Sequence, residues 1–152
     1  MRESMKYSLG MSDVGELRFA LYSLTREIRA HRPPDPATGV PIPETQYQIL
    51  GGLARNGPAT PADLAQALRV RAQSLTPALN ALTEAALVRR RQDDADRRRQ
   101  FVELTPAGRE LIEADRRARN AWLEEAMAER LTDLERNVLL LAAPILAKLA
   151  DG

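Results

Sequence analysis

The sequence predicts a mainly α-helical fold with one small β-hairpin, and three observations support this fold class. Ala, Leu, Arg and Glu dominate the 152 residues, whereas β-branched and aromatic residues are scarce. Apolar residues recur at intervals of three and four in several segments, which is the period of an amphipathic helix. One short segment alternates apolar and polar residues instead, which is the period of a strand.

The composition excludes several classes of function. The chain has no cysteine, which rules out disulfides, thiolate catalysis and thiol-based redox sensing. It has one histidine and no recognisable Ser/His/Asp set, phosphate loop or paired-carboxylate site, so we expect no enzyme, cofactor or metal. It contains no run of about 18 apolar residues, and its first residues lack the apolar core of a signal peptide. We therefore expect a cytoplasmic protein without membrane association.

The first predicted helix begins after Ser12, a good N-cap, with acidic Asp13 and Glu16 in its first turn. It ends before Pro33, because proline disfavours helical backbone in the preceding residue. Residues 32–43 hold half of the chain's ten prolines. We interpret this segment as an exposed, proline-stiffened connector.

Three shorter helices are predicted next. The first begins near Glu44 and ends at Asn56, and the second begins with Thr60 at N-cap and Pro61 at N1. The third extends to about Thr83. The residues expected to be buried on these helices are Tyr47, Ile49, Leu50, Leu53, Leu64, Ala67, Leu68, Leu75, Leu79 and Leu82.

The remaining elements are a hairpin and two helices. Strands are predicted at 87–91 and 100–104, and Thr105 with Pro106 begins a long helix. Thr132 and Glu135 form a capping box at the start of the last helix. Residues 43–104 thus have the order of a winged helix-turn-helix.

The two ends of the chain, residues 1–34 and 105–152, are predicted to form a helical dimerisation region. Their helices carry apolar stripes that would be exposed in an isolated chain. Packing against a second copy gives a two-fold homodimer. The expected interface residues are Val14, Leu17, Leu21, Leu134, Val138, Leu141, Ile145 and Leu149.

The helix-turn-helix carries polar side chains away from its apolar face. Amide, hydroxyl and guanidinium groups can hydrogen-bond base edges in the major groove of double-stranded DNA, or phosphates. The candidate DNA contacts are Thr60, Arg71, Gln73, Ser74, Thr76, Pro77 and Asn80. An ordinary three-helix unit with a solvated polar face is the alternative interpretation.

The hairpin carries six arginines within residues 89–99. Arginine can enter the minor groove of DNA, where the potential is negative. The candidate contacts are Arg90, Arg97, Arg98 and Arg99, and Asp96 is expected to shape the turn and orient them. The alternative is a solvated turn with weak Arg–Asp pairs. Although the whole chain has a net charge of +1, residues 69–99 carry eight arginines against four acids, which is +4.

These segments together resemble the MarR family of bacterial transcriptional regulators over about residues 11–150. The resemblance rests on the helix-turn-helix over 64–82, on Leu87-Val88-Arg89-Arg90, and on the wing signature that follows. In that signature an Asp, an Arg two residues later, a Leu-Thr pair and a Gly have fixed spacing. The matching residues are Asp96, Arg98, Leu104, Thr105 and Gly108.

The resemblance implies a homodimer that binds a pseudo-palindromic operator, commonly as a repressor released by a small aromatic or phenolic ligand. It implies that the helix beginning at Arg71 is the recognition helix, that Arg98 reaches the minor groove, and that Asp96 holds the wing. Two residues depart from the family pattern. Ala86 replaces a frequent glycine, so either a tighter turn or an extended helix is expected, and Pro77 lies inside the recognition helix.

A ligand cleft is expected near Tyr22, Arg26, Tyr47 and Trp122. The two tyrosines combine an aromatic body with a polar tip. Arg26 could meet a ligand carboxylate or be solvated, and Trp122 could equally belong to core or dimer packing.

Three alternatives remain open. A winged-helix adaptor that binds protein instead of DNA is disfavoured by the arginine-rich wing. A small helical enzyme would need a convergent polar pocket. An activator cannot be separated from a repressor by sequence.

Overall fold

The computed structural model describes residues 13–93, 96 and 99–150, and within these it confirms the predicted fold class. The helices are α1 (Asp13–Ala30), α2 (Glu44–Asn56), α3 (Pro61–Ala67), α4 (Ala72–Glu84), α5 (Pro106–Arg130) and α6 (Asp133–Ala150). The strands are β1 (Val88–Gln92) and β2 (Gln100–Leu104). The predicted N-cap Ser12 lies outside the described residues. No helix in the described ranges is long and apolar enough to cross a membrane.

The chain divides into two compact units. Residues 33–118 form one, which we call the winged-helix unit, and residues 1–32 with 119–152 form the other, which we call the terminal unit. The long helix α5 begins in the winged-helix unit and ends in the terminal unit.

The core of the winged-helix unit joins α2, α3, α4 and both strands. Ile49, Leu50, Leu75 and Leu82 have no exposed surface. Leu64 is buried as predicted, but Ala67 is exposed, and Ala65 is buried instead. Both alanines lie within about 100° of Leu64 around the helix axis, so helical periodicity alone does not choose between them. In the structure α3 packs against α2, α4 and β2, and Ala65 is buried whereas Ala67 is exposed.

Two helices end in a residue with left-handed backbone, although neither residue is glycine. Arg69 follows α3 and Ala86 follows α4, and each has a φ of 54°. After α4, the Leu87 N–H donates to the Leu82 carbonyl over 2.9 Å, which is the bond of a Schellman motif. Ala86 therefore forms a turn, and of the two expectations for this position, extension of the helix is wrong.

The hairpin pairs Val88 with Leu104 and Arg90 with Val102 in an antiparallel register. Val102 also exchanges both backbone hydrogen bonds with Ala59, at 2.8 and 3.1 Å. Ala59, in the segment before α3, thus pairs with the second side of β2 as an isolated β-bridge. This contact fixes the hairpin to the start of the helix-turn-helix.

The first turn of α5 packs tightly against the turn between α4 and β1. The Thr105 hydroxyl donates to the Ala86 carbonyl over 2.6 Å and accepts the Gly108 N–H over 3.1 Å, which makes Thr105 the predicted N-cap. A Cβ atom at Gly108 would stand 2.0 Å from the Leu87 carbonyl oxygen. Leu104 is itself buried in the core, so three residues of the wing signature, Leu104, Thr105 and Gly108, have structural roles.

In the terminal unit, α1 and α6 contain no buried residue along their described ranges. The predicted capping box at the start of α6 is confirmed, since the Glu135 carboxylate accepts the Thr132 N–H and hydroxyl, both over 2.8 Å. Pro144 lies inside α6, which continues past it to Ala150.

Candidate nucleic-acid interface

The exposed side of α4 carries most of the polar candidates. Leu75, Leu79 and Leu82 are turned into the core, with at most 2% of their surface exposed. The predicted contacts that are exposed on α4 or at its N-cap are Arg71, Gln73, Ser74, Thr76, Pro77 and Asn80. Glu84, at the end of the helix, is the only acidic residue within the described range of α4. This side of α4 is therefore polar and free of negative charge over most of its length.

The N-terminus of α4 is compatible with an anionic neighbour. Arg71, which lies within the described residues, is the N-cap of α4, and its side chain makes no capping hydrogen bond. No acidic residue lies in the first turn, which is described in full, so the positive end of the helix dipole is not neutralised by side chains of α4.

Pro77 lies in the middle of α4 without ending it, because the helix continues to Glu84. Proline has no N–H, so the Gln73 carbonyl lacks its usual donor four residues later. The helix α4 therefore lacks one backbone donor, as expected, and its polar side is nevertheless continuous past Pro77.

Thr60 has a role in helix capping that sequence analysis recognised only in part. Its hydroxyl donates to the Asp63 carboxylate over 2.7 Å, and its N–H donates to the same oxygen over 3.1 Å. The Asp63 N–H in turn donates to the Thr60 hydroxyl. These hydrogen bonds from Thr60 lower the pKa of Asp63 below its ordinary value of 3.8. The Thr-x-x-Asp pattern of a capping box was present in the sequence.

The two faces of the hairpin carry different arginines, because alternate strand residues point to opposite sides. On one face, Arg89 forms a 2.6 Å ion pair with Glu103, and Arg91 lies 3.8 Å from the same carboxylate. The guanidinium carbons of Arg91 and Arg99 lie 5.8 and 5.5 Å from the centre of the Phe101 ring. We call this the outer face of the hairpin.

On the other face, Arg90 joins the hairpin to α4. Its Nη2 donates to the Asn80 Oδ1 over 2.9 Å, and its Nη1 donates to the Gln100 Oε1 over 3.3 Å. Two of the predicted DNA contacts, Asn80 and Arg90, are thus hydrogen-bonded to each other. Sequence analysis missed Gln100, and only its place opposite Gln92 in the hairpin could have suggested it.

The tip of the hairpin closes through backbone hydrogen bonds. The Arg99 N–H donates to the Asp96 carbonyl over 2.9 Å, and the Asp93 N–H donates to the Arg99 carbonyl over 3.0 Å. Asp96 thus takes part in the turn through its backbone, while its predicted role in orienting arginines stays a prediction. Arg97 and Arg98 lie outside the described residues.

The predicted ligand-cleft residues lie in both units. In the winged-helix unit, Tyr47 is buried and its hydroxyl donates to the Pro33 carbonyl over 3.2 Å. In the terminal unit, the Trp122 ring stacks on His31, with ring centres 4.4 Å apart.

The other two cleft candidates are on α1, in the terminal unit. Tyr22 is exposed, and Arg26 forms an exposed ion pair with Glu27. The cleft itself stays a prediction.

The predicted dimer residues are all exposed in the terminal unit. They are Val14, Leu17, Leu21, Leu134, Val138, Leu141, Ile145 and Leu149. Phe19 and Leu140 are further exposed apolar residues of the same helices that sequence analysis did not single out. An open groove of about 410 Å³ runs along α6 and is lined by residues between Leu131 and Ala142. Such apolar surface is typical of an interface.

Within the described residues, no group of three His, Cys, Asp or Glu side chains is placed to hold a metal ion.

Comparison with known proteins agrees with this architecture. Residues 38–99 match a model of the MarR family. An uncharacterised HTH-type transcriptional regulator of Mycobacterium bovis is 35% identical over 136 residues, which cover 90% of this chain and 91% of the relative.

Two solved structures extend the comparison. A Pseudomonas aeruginosa protein described as a transcriptional regulator is 31% identical and superimposes with a TM-score of 0.76, over 91% of this chain and 93% of that one. A mutant MarR from E. coli has a TM-score of 0.73 over 91% of this chain and 99% of its own, and at 21% identity it shows the shared fold. The winged helix-turn-helix, the wing signature and these similarities lead to one conclusion: the chain belongs to the MarR family of transcriptional regulators.

Proposed function

We propose that this protein is a repressor that binds a pseudo-palindromic operator in double-stranded DNA as a homodimer. The observation that carries the proposal is the polar side of α4, which has no acidic residue before Glu84 and is hydrogen-bonded through Asn80 and Arg90 to an arginine-rich hairpin. In this arrangement α4 enters the major groove, and Arg98 of the hairpin reaches the adjacent minor groove. Because its target is chromosomal, we place the protein in the cytoplasm.

The apolar faces of α1 and α6 support the homodimer. Leu134, Leu141 and Leu149 each expose about three quarters of their surface, and such side chains are normally covered in a stable protein. A second copy offers the same apolar faces, so a two-fold arrangement covers both sets at once. The two copies of α4 then fit half-sites about one helical turn apart.

We further propose that a small aromatic or phenolic molecule releases the protein from its operator. The candidate residues for its binding are Tyr22, Arg26, Tyr47 and Trp122. Their aromatic rings suit a flat ligand, and the guanidinium of Arg26 suits a carboxylate or phenolate. Titration of the protein–DNA complex with aromatic acids tests this part, and a complex that none of them dissociates counts against it.

DNA binding is tested by gel-shift titration with the DNA upstream of the protein's own gene. We expect salt-sensitive binding, because each phosphate contact releases counterions. Arg98→Ala should lose at least tenfold in affinity, whereas Arg130→Ala, an equal loss of charge at an exposed site outside the winged-helix unit, should bind normally. Normal affinity of Arg98→Ala would refute the wing assignment. Absence of salt-sensitive binding by the unaltered protein would favour the protein-binding adaptor.

The dimer is tested by light scattering. Leu141→Glu puts a charge on the exposed apolar face of α6, so we expect a folded monomer with weak operator affinity. Val40→Glu puts the same charge at an exposed valine of the connector and should remain dimeric. A dimeric Leu141→Glu variant would place the interface elsewhere. A reporter gene behind the operator then separates a repressor from an activator by the sign of its response to deletion of the protein.

A further inference from the structure

Arg90 lies between two amide side chains and hydrogen-bonds both. One is Asn80 on α4, and the other is Gln100 on β2. A guanidinium group has donors and no acceptor, so each amide must turn its oxygen toward Arg90. The oxygen and the NH₂ group are two separate substituents of the planar amide carbon and point in different directions. The Asn80 NH₂ group is therefore turned away from Arg90.

The neighbouring arginines have different surroundings. Arg89 and Arg91 lie on the outer face of the hairpin, where Glu103 pairs with both. Arg90 is on the opposite face, and the two side chains to which it donates, Asn80 and Gln100, are uncharged. Its position joins the exposed side of α4 to the hairpin, at the place where the proposed DNA contacts of both elements meet.

On the basis of the proposed function, we propose that Arg90 is a positioning residue for sequence recognition and does not itself contact DNA. It holds Asn80 so that the amide approaches the major groove with its NH₂ donors first. Guanine presents two acceptors there, O6 and N7, whereas the usual two-bond contact to adenine also needs the amide oxygen to accept from N6. The operator position that Asn80 contacts is therefore guanine.

The test is selection of bound sequences from a randomised DNA library by the full-length protein and five variants. The variants are Asn80→Ala, Arg90→Met, the double variant of these two, the conservative Arg90→Lys, and Arg89→Met, which removes an equal charge from the adjacent strand position. The expected wild-type result includes a guanine, repeated in both half-sites, that Asn80→Ala no longer selects.

Arg90→Met should lose the same guanine as Asn80→Ala, with discrimination falling roughly 5- to 150-fold. The double variant should discriminate for guanine as well as the single variant with the poorer discrimination, because the two residues act through one contact. Arg89→Met should keep the guanine. Arg90→Lys keeps the charge and can still donate to Asn80, so it should restore part of the preference.

Other outcomes would overturn the inference. A uniform loss of affinity in Arg90→Met, with the salt slope reduced by about 0.9, would make Arg90 a phosphate contact. Loss of preference at a different base pair, or additive effects in the double variant, would make it an independent base contact. Selection of adenine at the Asn80 position would refute the orientation of the amide.

Two further results complete the test. If the wild-type protein selects no sequence, the proposed function itself fails, and the inference fails with it. Thermal melting checks the fold of each variant. If Arg90→Met does not fold, Arg90→Lys carries the comparison, and a loss of preference in Arg90→Lys that adds to the loss in Asn80→Ala would then refute the proposal.

Discussion

Replacement of Gly108 by alanine should destabilise the protein, although the same replacement usually stabilises a helix. The new Cβ would stand 2.0 Å from the Leu87 carbonyl oxygen and 3.2 Å from a methyl group of Leu104. Since a Cβ atom essentially never comes within 3.0 Å of a non-bonded heavy atom, helix and turn must separate by about 1.0 Å. The obstacle is backbone, which cannot rotate away as a side chain can.

The expected magnitude follows from two opposing terms. Overpacking of this kind costs about 1–3 kcal/mol, and a rigid backbone obstacle places the cost near the upper end. The helical preference of alanine over glycine returns at most about 1 kcal/mol. We therefore expect a net loss of about 2 kcal/mol, which lowers Tm by roughly 4–8 °C for a chain of this size.

The matched control is Gly51→Ala in α2. There the nearest atom to the new Cβ is the end of the Arg55 side chain, 3.9 Å away, so the helical preference should raise stability by about 0.5–1 kcal/mol. Both variants are compared with the unaltered protein by urea unfolding and thermal melting at one protein concentration. A Gly108→Ala variant as stable as the unaltered protein would refute the argument, provided that Gly51→Ala behaves as expected.

Three other changes have clear expected results. Ala86→Gly should stabilise the protein by about 1 kcal/mol in urea unfolding, because glycine adopts a φ of 54° without strain, whereas Ala85→Gly, at a φ of −74°, should lower stability. Thr105→Val should cost about 1–2 kcal/mol through loss of the α5 cap, and Thr105→Ser should keep most of this stabilisation. Equal melting temperatures of the two variants and the unaltered protein would refute the cap. Hydrogen bonds from Thr60 lower the native pKa of Asp63, so their stabilisation is full above pH 3.8 and is lost as pH falls through the lower native value. Asp63→Asn should therefore remove part of the acid-side loss of Tm measured between pH 6 and pH 2.5, and an unchanged acid-side slope would contradict this.

Sequence analysis predicted the order and type of the elements well where one face of an element dominates. Leu75, Leu79 and Leu82 recur at helical spacing, and all three are buried. The N-cap threonines Thr60 and Thr105 also mark helix starts, because their hydroxyls satisfy backbone donors locally. Such signals depend on a few neighbouring residues, and so a sequence contains them in full.

The site was less predictable, because its contacts join residues from different elements. Asn80 and Arg90 were each predicted as DNA contacts, but their hydrogen bond depends on the packing of α4 against β1. Gln100 completes this arrangement from the second strand. The close approach of Gly108 to Leu87 likewise depends on the path of α5, and in the sequence it was visible only as part of a family signature.

The run of three arginines in β1 has a consequence for strand pairing. Side chains alternate along the strand, so Val88 enters the core with 2% of its surface exposed, while Arg89 points to the opposite side. A slip of the strand by one residue would exchange the two faces and put the Arg89 guanidinium into the place of Val88. Burial of a charge without a partner costs several kcal/mol, far more than the loss of one pair of backbone hydrogen bonds. Three adjacent arginines, which look interchangeable in the sequence, thus oppose any slip that moves them toward the position of Val88.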